Sequence, residues 1–178
     1  MRCTPMVAGI LGALLSGPEV LAGPPTPLEP LAFLIGEWEA SGAGQPGQGS
    51  GRAVFSRALQ DRVILRSSYA EYPASGTAAS SRHDDLLVVY PTAGGAVRAD
   101  YYDSEGHVIR YLVTSPAPGR AVFVSEPVTG EARYRLSYEL TPDGVLKGEF
   151  SIASPGEPPV FKPYLVWESR RASARRAP

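Results

Sequence analysis

Between Gly36 and Arg171 the chain alternates apolar and polar residues in short runs, and this alternation predicts β-strands. In RYRLSYEL, for example, Tyr134, Leu136 and Tyr138 share one face while charged and small polar residues occupy the other. Such runs recur roughly every dozen residues and are separated by Gly, Pro, Asp and Ser. The pattern predicts strands over residues 36–42, 51–59, 62–71, 84–90, 97–103, 107–114, 120–126, 132–140, 145–153 and 160–169.

The predicted strands are apolar on one side only, which is typical of an antiparallel sheet with one buried face. Turn-forming sequences agree, because TPDG (141–144) and DSEG (103–106) begin with turn formers and end in Gly. A sheet of about ten strands normally curls and closes, which removes its exposed edges. The sequence therefore predicts an all-β fold, a single antiparallel meander β-barrel of about ten strands.

The segments that flank the barrel have different compositions. Leucines spaced by three within residues 27–36 predict a short N-terminal helical turn that closes one end of the barrel. Residues 23–27 are predicted to form a proline-rich linker, 28–171 the β-barrel, and 172–178 a disordered basic tail.

The first 22 residues have the features of a secretion signal. Arg2 supplies a positive start, residues 6–15 form a short apolar run, and Val20 and Ala22 provide the small residues of a cleavage site. The run is about half the length needed to cross a bilayer, so no stable membrane span is expected. Residues 1–22 are therefore predicted to be a signal peptide, and the protein to be periplasmic or secreted.

Composition narrows the possible chemistry further. The formal net charge is −1, so no global field attracts nucleic acid, and no nucleic-acid partner is expected. The single cysteine, Cys3, lies within the predicted signal. After cleavage there would be no disulfide, thiolate nucleophile or cysteine metal site.

A G-x-G-x-x-G pattern at Gly42, Gly44 and Gly47 suggests a dinucleotide fingerprint at first sight. Such a fingerprint needs a helix at the third glycine and an acidic residue about 20 positions later. Here a strand follows, Pro46 interrupts the stretch, and Asp61 comes too early. The pattern is interpreted as a loop that joins the first two strands and borders the mouth of the barrel.

The opening PLAFLIGEWEASGAG, in which an apolar turn runs into Gly36-Glu37-Trp38, resembles the calycin group when a ten-strand meander follows. That group includes lipocalins, fatty-acid-binding proteins and nitrobindin-like haem barrels. The resemblance covers roughly residues 28–171 and implies a small-molecule-binding barrel. It also implies that Trp38 packs across the closed end, under an arginine such as Arg171.

Haem does not carry over from that resemblance. Nitrobindin-like barrels coordinate the iron through a histidine on a late strand, but VLKGEFSIA and VFKPYLVWES contain none. The two histidines, His83 and His107, lie on middle strands, so haem would need His107 or a tyrosine as its ligand. No cofactor is expected.

The densest group of polar and aromatic residues is RADYYDSEGHVIRY (98–111). On a hairpin, Tyr101, Asp103, His107 and Tyr111 would meet near one barrel mouth, either as ligand contacts or as parts of a well-formed turn. Both interpretations remain open at this point.

A metal site in the same stretch would use Asp100, Asp103, Glu105 and His107. Alternation places Asp100 on the opposite face, which leaves too few converging ligands. No metal site is predicted.

The leading hypothesis is a barrel that binds a small, partly apolar molecule as its partner. An enzyme that uses His107 or His83 as acid or base, and a filled barrel that acts through its outer surface, remain alternatives. No catalytic motif is found, and the sequence leaves the oligomeric state open. Strand parity predicts that the ligand is contacted by Tyr69, Tyr101, His107, Tyr111, Tyr138 and Trp167.

Overall fold

A computed structural model of the protein describes residues 26–42 and 49–173. A six-residue 3-10 helix precedes ten β-strands. The helix is Glu29–Leu34, and the strands are β1 (Gly36–Ala40), β2 (Ser50–Ala58), β3 (Val63–Tyr72), β4 (Ser81–Pro91), β5 (Val97–Asp103), β6 (Val108–Ala117), β7 (Arg120–Ser125), β8 (Arg133–Leu140), β9 (Val145–Ala153) and β10 (Lys162–Arg171).

The strands form one closed antiparallel meander barrel. Each strand pairs with its sequence neighbours, and β1 also pairs with β10, where Trp38 lies opposite Arg171. This confirms the predicted all-β barrel and its helical turn. The largest differences lie at strand ends: β4 begins at Ser81 instead of residue 84, and β6 ends at Ala117 instead of residue 114. The register between β9 and β10 shifts between Pro163 and Leu165. Proline lacks the backbone N–H that a regular ladder needs at this position.

Trp38 and Arg171 hold the helix against one end of the barrel. The Trp38 indole N–H donates to the carbonyl of Leu34 at 2.7 Å, and the Arg171 guanidinium lies 4.4 Å from the centre of the Trp38 ring. Arg171 also donates to the carbonyls of Ile35, at 2.7 Å, and Phe33. The predicted packing of Trp38 across the closed end, under Arg171, is confirmed.

The half of the barrel next to this end is filled by side chains. Four buried rings pack edge to face in a chain, with centroid separations of 6.2 Å from Tyr111 to Phe123, 6.1 Å from Phe123 to Tyr138 and 5.6 Å from Tyr138 to Phe55. Aromatic rings favour such T-shaped contacts. This packed half is the hydrophobic core.

The inward side chains of the other half are less deeply buried. Its inward side chains pack against the core but keep part of their surface exposed, unlike the rings below them. We call this half the cup, and define it by Ser68, His83, Asp85, Tyr101, Tyr134, Phe150 and Trp167. The loops at its rim include residues 73–80, 104–107, 126–132 and 154–161.

Several sequence predictions lie outside the described residues. These are the signal peptide (1–22), most of the linker (23–27), the glycines Gly44 and Gly47, and most of the basic tail (172–178). Across residues 26–42 and 49–173, no helix has the length and apolarity needed to cross a bilayer.

Candidate functional site

The floor of the cup carries a buried ion pair between neighbouring strands. Arg66 on β3 is only 5% exposed, and its Nη2 donates to Asp85 Oδ1 on β4 at 2.5 Å. Its Nη1 donates to the hydroxyl of Tyr138 from the opposite side of the barrel. Ser68 donates to the same Asp85 oxygen at 2.7 Å. Arg66 Nε is buried and has no hydrogen-bond partner among the described residues, so one donor of the guanidinium is unused.

Burial and the ion pair fix the charge states at this floor. Burial opposes the charge on Arg66, but Asp85 and the neighbouring tyrosines outweigh it and raise the pKa of Arg66. Burial, and then the Asp85 carboxylate, raise the pKa of Tyr101; burial also raises the pKa of Tyr138. Arg66 therefore stays a cation, and both tyrosines stay neutral hydroxyl donors.

A chain of polar contacts runs from the floor to the rim. His83 Nε2 lies 3.0 Å from the Tyr101 hydroxyl, which donates to Asp103 Oδ2 at 3.3 Å. Asp103 Oδ2 is also 2.9 Å from His107 Nδ1, and His83 Nδ1 is 3.2 Å from Glu105 Oε1. We call His83, Asp103, Glu105 and His107 the rim cluster.

The β5–β6 turn positions three members of that cluster. Asp103 Oδ1 accepts hydrogen bonds from the backbone N–H groups of Glu105 and His107, at 3.0 and 2.9 Å. Gly106 has a φ of +91°, a conformation that side chains disfavour. Burial of Asp103 opposes its ionisation, but the hydrogen bonds from His107 and Glu105 outweigh it and lower the pKa of Asp103. The predicted DSEG turn is therefore closed by hydrogen bonds to the Asp103 carboxylate.

Aromatic rings form the opposite wall of the cup. Tyr134 and Phe150 stack with centroids 5.8 Å apart, and the Trp167 ring packs edge to face on Tyr138 at 6.0 Å. Trp167 also lies directly over Gly148, where an added Cβ would come within 2.1 Å of the indole. The cup thus combines an aromatic wall with a polar wall and floor.

Replacing Gly148 with alanine should displace the Trp167 indole and lower the free energy of unfolding by about 1–3 kcal/mol, because the new methyl group overpacks the wall. Denaturation monitored by circular dichroism measures the loss, and a shifted tryptophan emission reports the moved ring. Adding Trp167→Leu should make Gly148→Ala nearly neutral. An unchanged emission and stability in Gly148→Ala would contradict this packing.

No protein-family model matches this chain. No curated protein sequence matches it significantly either. The function is therefore argued from the site itself.

The structure distributes the predicted ligand contacts over four environments: the cup, the packed half, the rim and the outer surface. Tyr101 and Trp167 lie in the cup, whereas Tyr111 and Tyr138 lie in the packed half, 1% and 3% exposed. The Tyr138 hydroxyl still reaches the cup floor through Arg66. His107 stands at the rim with its side chain 63% exposed.

The expected inward orientation of Tyr69 is wrong. On β3 the inward residues are Ile64 and Arg66, which are buried, so Tyr69 points outward. Its ring lies under the guanidinium of Arg82, 4.1 Å away, on the outer surface. The inward face of β3 carries Arg66 and Ser68. Because these residues are polar, alternation of apolar and polar residues did not identify this face as the inward one.

Sequence reasoning missed the ion pair at the floor. Arg66 lies between Leu65 and Ser67, and a single arginine in a predicted strand is normally interpreted as a residue that faces solvent. A signal did exist on β4, where His83 and Asp85 alternate in step with Leu87, which is fully buried.

Proposed function

We propose that the protein binds a small, partly apolar molecule in the cup. The observation that carries this proposal is the change along the barrel axis, from rings that are fully buried to aromatic and polar side chains that stay partly exposed. Ligand sites are typically concave, mostly apolar, and supplied with a few convergent polar groups. The cup has this composition.

The arrangement of the walls suggests how such a molecule is oriented. An apolar ring would pack on Tyr134, Phe150 and Trp167, where aromatic contacts are available. A polar acceptor at its other end would face the Tyr101 hydroxyl.

Charge favours a neutral or cationic ligand. Asp85 neutralises Arg66, and Asp103 and Glu105 add negative charge at the rim. A ligand carboxylate would be repelled by these groups, whereas an amine or a neutral polar group would not.

The same proposal includes a relationship to the calycin group and a periplasmic or secreted location. The Trp38–Arg171 contact at the closed end supports the relationship. The signal-like composition of residues 1–22 supports the location.

Two recesses outside the cup are weaker candidates. One of about 410 Å³ lies on the outer face near Leu112 and Val124, and one of about 130 Å³ lies beside the helical turn at Pro30 and Leu31. Arg98 and Glu126 pair with each other at the first, and its third charged residue, Arg133, donates to the carbonyl of Ser125 and lies 3.6 Å from Glu157. Neither recess combines stacked rings with convergent hydroxyl donors.

Titration with the apolar fluorescent probe N-phenyl-1-naphthylamine tests this function. Ala70→Trp should weaken probe binding by about tenfold or more, because the inward indole fills the cup. Ser67→Trp is the matched control, since Ser67 is exposed on the outer face of the same strand; it should bind the probe as the parent does.

Circular dichroism must show that both variants are folded. A parent that does not bind the probe, or equal binding by the parent and both variants, would overturn the proposal. The filled barrel that acts through its outer surface would then be the better account.

A further inference from the structure

Both histidines of the chain lie on the rim of the barrel, where the Glu105 carboxylate is within 4.0 Å of each. His83 Nδ1 is 3.2 Å from Glu105 Oε1, and His107 Nδ1 is 2.9 Å from Asp103 Oδ2 and 3.8 Å from Glu105 Oε2. One ligand atom from each of His83, Asp103 and Glu105 lies within 4.8 Å of the others. Three potential ligands therefore converge from two strands and a turn, and His107 lies beside two of them.

We propose that the rim cluster binds a divalent transition-metal ion such as Zn²⁺, with His83, Asp103 and Glu105 as ligands and His107 as the fourth. The sequence pattern predicted no metal site, because the ligand set considered there contained Asp100 and not His83. Asp100 accepts a hydrogen bond from Tyr90 on the outer face, whereas β4–β5 pairing brings His83 to the turn. The convergence therefore depends on strand register.

The spacing of these groups suits tetrahedral coordination. Two ligands that are each about 2.0–2.1 Å from Zn²⁺ lie about 3.3 Å apart at the tetrahedral angle. His83 Nδ1 and Glu105 Oε1 are 3.2 Å apart, which is close to this value. His107 Nδ1 lies 2.9 Å from Asp103 Oδ2 and 3.8 Å from Glu105 Oε2, one separation shorter and one longer than this value. Glu105 and His107 are exposed, so their side chains have room to adjust around an ion.

The surroundings hold two of the ligands in place. Tyr101 contacts His83 at Nε2, which leaves Nδ1 facing the cluster. Metal-ligating histidines commonly have a partner on their second nitrogen, which fixes the ring orientation. Asp103 is held by the backbone N–H groups of the turn, which bond its Oδ1 and leave Oδ2 facing the cluster.

The donor set also indicates the class of ion. Two imidazoles with two carboxylates suit Zn²⁺, Co²⁺, Ni²⁺ or Cu²⁺, whereas Ca²⁺ and Mg²⁺ prefer oxygen donors alone. Occupation of this site would place a cation beside Tyr101 at the mouth of the cup.

Calorimetric titration with Zn²⁺ and absorbance titration with Co²⁺ test the proposal. The full chain should carry Cys3→Ser, so that no thiol competes for the metal. We expect one ion per chain, and a Co²⁺ spectrum typical of tetrahedral nitrogen and oxygen ligation. His83→Gln and Glu105→Gln should each weaken Zn²⁺ binding by about tenfold or more.

Glu131→Gln is the matched control, because Glu131 is an exposed acid in the β7–β8 loop on the same rim. It should bind Zn²⁺ as the parent does, and circular dichroism should show all variants folded. The proposal is overturned if the parent binds no Zn²⁺, if His83→Gln binds it as tightly as the parent, or if Ca²⁺ binds better than Zn²⁺. Probe binding in the cup is measured without metal, so the two proposals fail independently.

Discussion

Replacing Arg66 with methionine should lower the free energy of unfolding by about 3–5 kcal/mol, a large part of the stability of a domain of this size. The substitution keeps most of the side-chain volume but removes the cation that Asp85 faces at 2.5 Å. Asp85 would be left as a largely buried carboxylate whose remaining partners are the Ser68 hydroxyl and His83, the latter 3.9 Å away. Urea denaturation monitored by circular dichroism measures the loss.

The double variant Arg66→Met with Asp85→Asn is the informative control. It removes both charges, so no uncompensated ion remains in the cup, and most of the lost stability should return. If Arg66→Met alone costs less than about 1 kcal/mol, the value typical of an exposed ion pair, then Arg66 does not lie at a buried floor.

Replacing Trp38 with alanine should cost about 3–5 kcal/mol, because the indole is fully buried and a large cavity would remain beneath the helical turn. The same change removes the hydrogen bond to Leu34 and the ring under Arg171. Thermal or urea unfolding measures the effect.

Trp167→Ala is the matched control, since the chain has two tryptophans and Trp167 is only partly buried. Its substitution should cost clearly less than Trp38→Ala, and probe binding should weaken because a cup wall is lost. Equal costs for the two substitutions would show that the closed end is not the better packed end of the barrel.

Local patterns in the sequence were sufficient to predict the architecture. Period-two alternation on strands such as β8 and turn residues such as those of DSEG depend on neighbours in sequence, and these predictions agree with the structure. A meander has no long crossovers, so correct strands and turns determine its topology. Trp38 was found because its short motif resembles a known group, and its contact with Arg171 agrees with that resemblance.

The site depends on features that alternation does not contain. Strand parity assigns a residue to the face that its apolar neighbours share. On β3 the inward face carries the polar residues Arg66 and Ser68, so Tyr69 was assigned to the wrong face. Parity also says nothing of height along the barrel, so it did not separate Tyr111 in the packed half from Tyr101 in the cup. These distinctions arise from pairing register and from packing across the barrel.

The rim cluster illustrates the same limit. His83 and Glu105 are 22 residues apart in the chain, and they meet because β4 pairs with β5 in one particular register. A shift of one residue would turn His83 to the outer face. The local sequence therefore identified the three members of the rim cluster at the β5–β6 turn, but it did not identify His83.

Native mass spectrometry of the protein purified from the cells that make it tests the binding function most directly. We expect a mass above that of the chain by one small organic molecule, which is lost on unfolding and absent when Ala70→Trp is expressed in the same cells. Ser67→Trp should retain the molecule. A bare chain mass for the parent, or the same added mass in Ala70→Trp, would contradict the account.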